Sequence, residues 1–125
     1  MTSPWLAGCL GTEEARTWVD DLTRRGEPAI RDALEAASAA ERDDRAECCG
    51  LAAAEIVASA CGEPPDGLPD PARAWVDAHG VPSDDLVDLA LQVVREISHS
   101  SRADDPDRSR AVRDLRFRLG DVAAA

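Results

Sequence analysis

Apolar residues recur along this chain at the three- and four-residue spacing of amphipathic helices, and no stretch alternates apolar and polar positions as a strand does. Gly26, Gly62 and Gly80 follow three apolar-periodic segments, while Pro28 and Pro71 suit first helical turns. The pattern predicts helices over about 13–25, 28–40, 44–61, 70–79, 83–98 and 106–119. We therefore predict an all-α protein of five or six helices.

The alanine-rich helix predicted over about 44–61 should lie at the centre. Its large residues Leu51, Ile56 and Val57 point in three directions, so it is apolar on every side. We expect the other helices to pack around it in a single compact domain that covers 1–125, a length that suffices for one core. The predicted connections are an N-terminal loop (1–11), a Pro-rich loop (62–70) and a frayed tail (120–125).

Glu55 is the one acidic side chain within the apolar run 51–61. Burial raises the pKa of a carboxyl group, which suits a catalytic acid or a structural anchor. On a helical wheel Glu55 lies near Cys48 and Ser59, in the most polar strip of its helix, so we expect it at the edge of the core. We predict that it ties the 5–13 loop or a nearby arginine to this helix. Contact with a partner and catalysis stay open as alternatives.

Other chemical signals are weak. Glu96 and His99 have the spacing of half a di-iron ligand set, but the wheel turns both towards solvent and no second such pair exists. His79 looks like a helix-end residue, where a cation suits the helix dipole. No phosphate-binding glycine loop or nucleophile elbow is present, so no catalytic residue, metal ligand or cofactor is assigned.

Charge and composition limit the partners. The formal net charge of −11 argues against binding to nucleic-acid backbone or to an anionic membrane surface, and favours a basic partner. Six of the 14 basic residues are arginines within 102–118, a segment that we expect to dock on the acidic body, with a separate contact surface as the alternative. Lysine is absent and alanine abundant, as in proteins of GC-rich bacterial genomes.

The cellular location is predicted from what the sequence lacks. No export signal and no apolar run of spanning length is evident, so we expect a cytoplasmic protein. In that compartment the four cysteines are expected to be reduced, small and buried: Cys9, Cys48, Cys49 and Cys61.

Two segments resemble those of a known family. The first runs Trp5-Leu-Ala-Gly-Cys-Leu-Gly-Thr12-Glu13-Glu-Ala-Arg-Thr-Trp18, and the second runs Ala-Ala-Ala-Glu55-Ile-Val-Ala. They resemble the bacterial domain-of-unknown-function family 4259, whose members open Trp-Gly-x-Gly-x-Phe-Asp-Asn-Asp and carry Ala-Ala-Ala-Glu-Val-Val-Ala. The resemblance implies a small helical bacterial protein without an established activity. At the family's Asp-Asn-Asp this chain retains only Thr12 and Glu13 as polar side chains.

The leading functional hypothesis is a non-enzymatic acidic binding module, of immunity or inhibitor type, for a basic protein partner. Trp5, Thr12, Glu13 and Glu55 are the predicted partner-binding or anchoring residues. The alternative is a small hydrolase or metal-dependent enzyme that uses Glu55 with Glu13, or with His79, in a cleft between the first and third helices. Assembly into a homo-oligomer through an exposed alanine-rich face is a third hypothesis.

Overall fold

The computed structural model describes residues 12–39, 44–61, 70–79, 82–98, 112–113 and 115–120, and every regular element within these ranges is a helix. The all-α prediction is confirmed. Between residues 12 and 98 the described ranges contain five helices: α1 (Thr12–Arg25), α2 (Glu27–Ser38), α3 (Asp44–Ala60), α4 (Asp70–His79) and α5 (Asp84–Ser98). Residues 112–113 and 115–120 are also helical and are called the C-terminal segment.

A single residue separates α1 from α2. Gly26 adopts φ 73°, a left-handed conformation that costs glycine nothing and strains other residues. Its N–H donates to the carbonyl of Leu22, which closes α1, and its own carbonyl accepts from the N–H of Ala29, which opens α2. Pro28 stands in the first turn of α2, where its missing N–H costs no helical hydrogen bond. The two helices are therefore joined at a fixed angle.

The central helix is α3, as predicted. Every residue from 50 to 59 is buried, and α3 packs on α1, α2, α4 and α5. Small side chains allow this close approach. A Cβ built on Gly50 would overlap the Cβ of Ala37 in α2, so glycine is needed where these two helices meet.

The buried face of α5 is broad. Leu86, Ala90, Val93 and Ile97 are buried, whereas Leu89 is only half-buried. The core also takes in three further α5 residues: Val87, Leu91 and Val94. The reason is that α2 and α3 both pack against α5, so more than one side of it is covered.

Several predicted features lie wholly or partly outside the described residues. They include the loop 1–11 with Trp5, most of the loop 62–70, and the tail after Gly120; Asp70 itself is the first residue of α4. Of the other two tryptophans, Trp18 is buried and Trp75 is half-buried against the core. A search of the described helices finds none with the length and apolar character needed to span a membrane.

Candidate functional site

Glu55 is held by an arginine from the far end of the chain. The Nη2 atom of Arg118 donates to both carboxylate oxygens of Glu55 at 2.8 Å, and the two side chains are separated by 63 positions in sequence. Both residues are buried, with exposed fractions of 4% for Glu55 and 8% for Arg118. The C-terminal segment thus meets α3 through an ion pair inside the protein.

The polar strip of α3 lies deeper than the sequence predicts. Glu55 was expected at the edge of the core, but Arg118 of the C-terminal segment binds it there, and Leu115 and Leu119 of the same segment are fully buried. A helical wheel of α3 alone contains no information about what covers it. Ser59, also buried, satisfies its hydroxyl locally by donating to the backbone carbonyl of Glu55 at 2.8 Å.

The ion pair defines what Glu55 contributes. Removing one member of a buried pair leaves an uncompensated charge, whereas a complete pair fixes the position of two elements. Both oxygens of Glu55 accept from Arg118, so neither is available to a substrate without breaking these bonds. This geometry suits an anchor better than a catalytic acid.

A second buried acid on α3 was missed by the sequence reasoning. Glu47 is 1% exposed and lies eight residues before Glu55, about 12 Å along the helix axis. It falls outside the apolar run that drew attention to Glu55. Its only sequence signal is membership of the helix that is apolar on every side.

The other predicted site residues are not brought together on the described part of the chain. Thr12 and Glu13 are the first two residues of α1, and the structure does not describe their side chains. Thr12 lies within the helix, one residue before its predicted start. Trp5 lies outside the described residues. Whether these three residues join Glu55 stays a prediction.

The cysteines depart from the expectation that all of them are reduced. Cys48 is disulfide-bonded, whereas Cys49 and Cys61 are not, and Cys9 lies outside the described residues. The expectation rested on the predicted compartment, and a compartment does not indicate which cysteines lie close enough together to form a disulfide. Burial raises the pKa of the Cys61 thiol, which keeps it protonated at neutral pH and makes it a poor nucleophile.

The metal hypothesis at Glu96 finds no support among the described residues. Glu96 was expected to face solvent, but it is half-buried and its Oε2 atom is shielded, because the covered side of α5 is broad. His99 lies outside the described ranges. Within those ranges no group of three or more histidine, cysteine or acidic residues is placed to hold a metal ion.

A small cleft lies where α3 and α4 end and where α2 and α5 begin. Its volume is about 100 Å³. The floor is apolar and consists of buried or half-buried side chains: Ile30, Ile56, Val57, Ala60, Pro82 and Leu86. This is not the predicted cleft between the first and third helices, and Glu55 is not among its lining residues.

The rim of this cleft is polar and aromatic. Glu27, His79 and Ser83 are exposed, and half-buried Trp75 stands between them and the floor. The rings of Trp75 and His79 are stacked, with centroids 4.2 Å apart and planes 15° from parallel. The Nδ1 atom of His79 lies 2.9 Å from the carbonyl oxygen of Trp75. Because a carbonyl only accepts, Nδ1 must donate, which leaves Nε2 as the acceptor of the neutral ring.

Three acidic residues on α1 and α2 lie in ion pairs with arginines. Asp21 accepts a hydrogen bond from Arg25 at 3.1 Å, and Asp32 also bonds the Arg25 guanidinium. These two hydrogen bonds, that of Asp32 foremost, raise the pKa of Arg25. Glu27 lies 3.8 Å from Arg31 in a longer ion pair. Asp20 and Glu35 are exposed on the same two helices and make no ion pair within the described ranges, so this side is only partly neutralised.

The start of α5 differs from α1 and α2. Asp84, Asp85 and Asp88 are exposed, and none of them makes an ion pair with any residue in the described ranges. The strip formed by these three residues, the α5 acidic strip, begins directly after Ser83 on the rim of the cleft. Negative charge is thus concentrated beside a cleft that combines an apolar floor with a polar rim.

The C-terminal segment has two different faces. From the sequence, docking on the acidic body and a separate contact surface were alternatives. Arg118 is buried on Glu55, whereas Arg113 and Arg116 are exposed. Phe117 is 77% exposed beside them, and Gly120 completes the shallow groove that they line. One segment therefore both docks on the body and presents a basic, aromatic surface.

Comparison with known proteins gives one result. The model of a family described as "Domain of unknown function (DUF4259)" matches residues 4–107, which confirms the resemblance seen in the sequence. No curated protein and no solved structure shows a significant match to the chain.

Proposed function

The chain belongs to the DUF4259 family, and from that premise, which supplies no activity, we propose that it is a non-enzymatic binding module for a basic protein partner. The observation that carries the proposal is the α5 acidic strip, Asp84, Asp85 and Asp88, which is exposed and makes no ion pair within the described ranges. An uncompensated cluster of charge steers an oppositely charged partner and fixes its register.

The contrast with the paired acids of α1 and α2 supports this choice of surface. There, Asp21 and Asp32 share the guanidinium of Arg25, so a basic partner would first have to displace this arginine of the protein itself. The α5 acidic strip imposes no such competition. It also adjoins the cleft, and a protein interface gains most of its energy where an anchoring side chain enters a pocket.

An immunity or inhibitor protein is the form of binding module that this arrangement fits. Such a protein covers a basic site on its target, and the net charge of −11 extends the attraction beyond the contact itself. The hydrolase alternative has less support, because the oxygens of Glu55 are engaged by Arg118 and the cleft is lined by other residues.

The proposal is tested by capture with matched charge variants. Wild-type protein, the variant Asp85→Asn/Asp88→Asn and the control Asp20→Asn/Glu35→Gln are immobilised and exposed to lysate of the source bacterium at about 50 mM salt. Both variants remove two exposed negative charges, so their net charges are equal. We expect wild type and control to retain the same basic protein, and the α5 variant to lose it.

Salt provides the second readout. The captured protein should elute as the ionic strength rises towards about 0.5 M, because screening weakens contacts between exposed charges. A protein retained equally by all three baits, elution that ignores salt, or no specific capture by wild type would each contradict the proposal.

A further inference from the structure

We propose that the cleft at the ends of α2, α3, α4 and α5 receives a lysine side chain of the basic partner. This inference rests on the proposed function and names the anchor of that interface. The observation that carries it is the combination of a narrow apolar floor with a rim that offers hydrogen-bond acceptors and negative charge.

The floor suits the hydrocarbon part of lysine. Ile30, Ile56 and Leu86 line a space of about 100 Å³, which suits a single unbranched side chain. Lysine buries its four methylene groups along apolar surface while its charged end stays near water. A partner side chain in this position would cover the floor without placing a charge in the core.

The rim suits the ammonium group. Glu27 contributes a carboxylate, Ser83 a hydroxyl and His79 the Nε2 acceptor that remains once Nδ1 has donated to the carbonyl of Trp75. A lysine ammonium has three donors and no acceptor, so three acceptor groups around the mouth match it. Glu27 is only loosely paired, since its Oε1 lies 3.8 Å from Arg31.

Electrostatics favours a cation over an anion here. The α5 acidic strip begins at the residue after Ser83 and sets the sign of the local charge, whereas the helix dipoles balance, because α3 and α4 end at the cleft and α2 and α5 begin there. Arginine fits less well than lysine, because its planar guanidinium needs a wide bidentate partner. A small cleft with three acceptor groups among its lining residues suits a compact point charge.

The cleft can be tested without the partner. The uniformly 15N-labelled full chain is titrated with n-butylammonium chloride, which copies the lysine side chain, and with 1-butanol and sodium butyrate as uncharged and anionic controls. We expect saturable shifts of the Trp75 indole N–H and of amides around the cleft, with a Kd of about 10 mM, because five non-hydrogen atoms bind weakly. Butanol should bind at least about fivefold more weakly and butyrate should not bind.

Two variants examine the rim and the floor separately. Glu27→Gln should weaken n-butylammonium binding by about tenfold, since a charge-assisted hydrogen bond is lost. Ala60→Leu keeps a good helix former while filling the cleft, and should abolish saturable binding. Glu35→Gln, an exposed acid on α2 that does not line the cleft, is the control and should bind as wild type. Circular dichroism verifies that each variant is folded.

The outcomes separate this inference from the proposed function. No saturable shift with n-butylammonium, or equal binding of butyrate, overturns the lysine site. Capture of a basic partner by Ala60→Leu as efficiently as by wild type also overturns it, while leaving the binding module intact. Saturable binding that Ala60→Leu abolishes, with no partner captured by any bait, would support the cleft and contradict the proposed function.

Discussion

Charged side chains occur in two contrasting regions of this protein. Beneath the C-terminal segment, Glu55 and Arg118 are both buried and bound to each other. At the start of α5, Asp84, Asp85 and Asp88 are exposed and unpaired within the described ranges. Burial makes a lone charge costly, so the first pair must stay together, whereas the second group remains available to a partner.

The C-terminal segment repeats this contrast over two positions. Arg116 and Arg118 are chemically identical, yet one is exposed and the other is 8% exposed on α3. Two positions along a helix correspond to a rotation of about 200° about its axis, so only one of the two arginines can face Glu55. Charge composition alone therefore indicates neither the anchor nor the contact surface.

The largest expected effect is on the buried side of the comparison. Replacing Glu55 by alanine leaves the Arg118 guanidinium buried without its carboxylate and should lower the free energy of unfolding by about 3–5 kcal/mol. Urea denaturation followed by circular dichroism measures it. Arg116→Ala is the matched control and should change the same quantity by less than about 0.5 kcal/mol. Equal losses of unfolding free energy in the two variants would mean that the buried pair contributes no more to stability than exposed Arg116.

The disulfide at Cys48 should have the next largest effect. It lies on the same strip of α3 as Glu55, so the buried region contains a covalent link as well as an ionic one. Reduction should lower the free energy of unfolding by about 2–4 kcal/mol. Peptide mapping without reductant should find Cys48 in a cross-linked peptide and should place Cys49 and Cys61 outside any disulfide. Identical unfolding curves with and without reductant would show that the disulfide does not stabilise the protein.

Gly50 tests the packing of α3 away from the ion pair. A methyl group added there overlaps the Cβ of Ala37, so Gly50→Ala should cost about 1–3 kcal/mol despite the better helix propensity of alanine. Gly120→Ala, where an added Cβ meets nothing within 4 Å, is the control. A stabilised Gly50→Ala variant would show that α2 and α3 can separate without loss.

The smallest effect on stability is expected at the α5 acidic strip. Asp85→Asn/Asp88→Asn should shift the free energy of unfolding by less than about 0.5 kcal/mol, since exposed side chains without ion pairs contribute little to folding. The same variant should lose partner capture. Thermal and urea denaturation measure the first property. A large loss of stability would mean that the strip belongs to the fold and not to an interface.

Much of the fold could be predicted from the sequence because its signals are local. Apolar spacing, Gly26 after α1 and Pro28 in the first turn of α2 determine helices and their ends within a few residues. The central position of α3 follows from a helix that is apolar on all sides. These features require no knowledge of which helices become neighbours.

The candidate site was harder to predict because its parts come from distant positions. Arg118 reaches Glu55 across 63 residues, and no periodicity within either helix identifies that pairing. The cleft depends on the ends of four helices meeting, with Glu27 and Ser83 contributed by different ones. The burial of Glu47 and Glu96 was missed because a helical wheel treats each helix as if it were alone.

A double-mutant cycle on Glu55 and Arg118 tests the central claim most directly, namely that the pair anchors the C-terminal segment to α3. Unfolding free energies are measured for wild type, Glu55→Gln, Arg118→Met and the double variant. We predict that the double variant loses less than the sum of the single variants, with a coupling energy of at least about 1 kcal/mol. Losses that add to within about 0.3 kcal/mol would contradict the anchor.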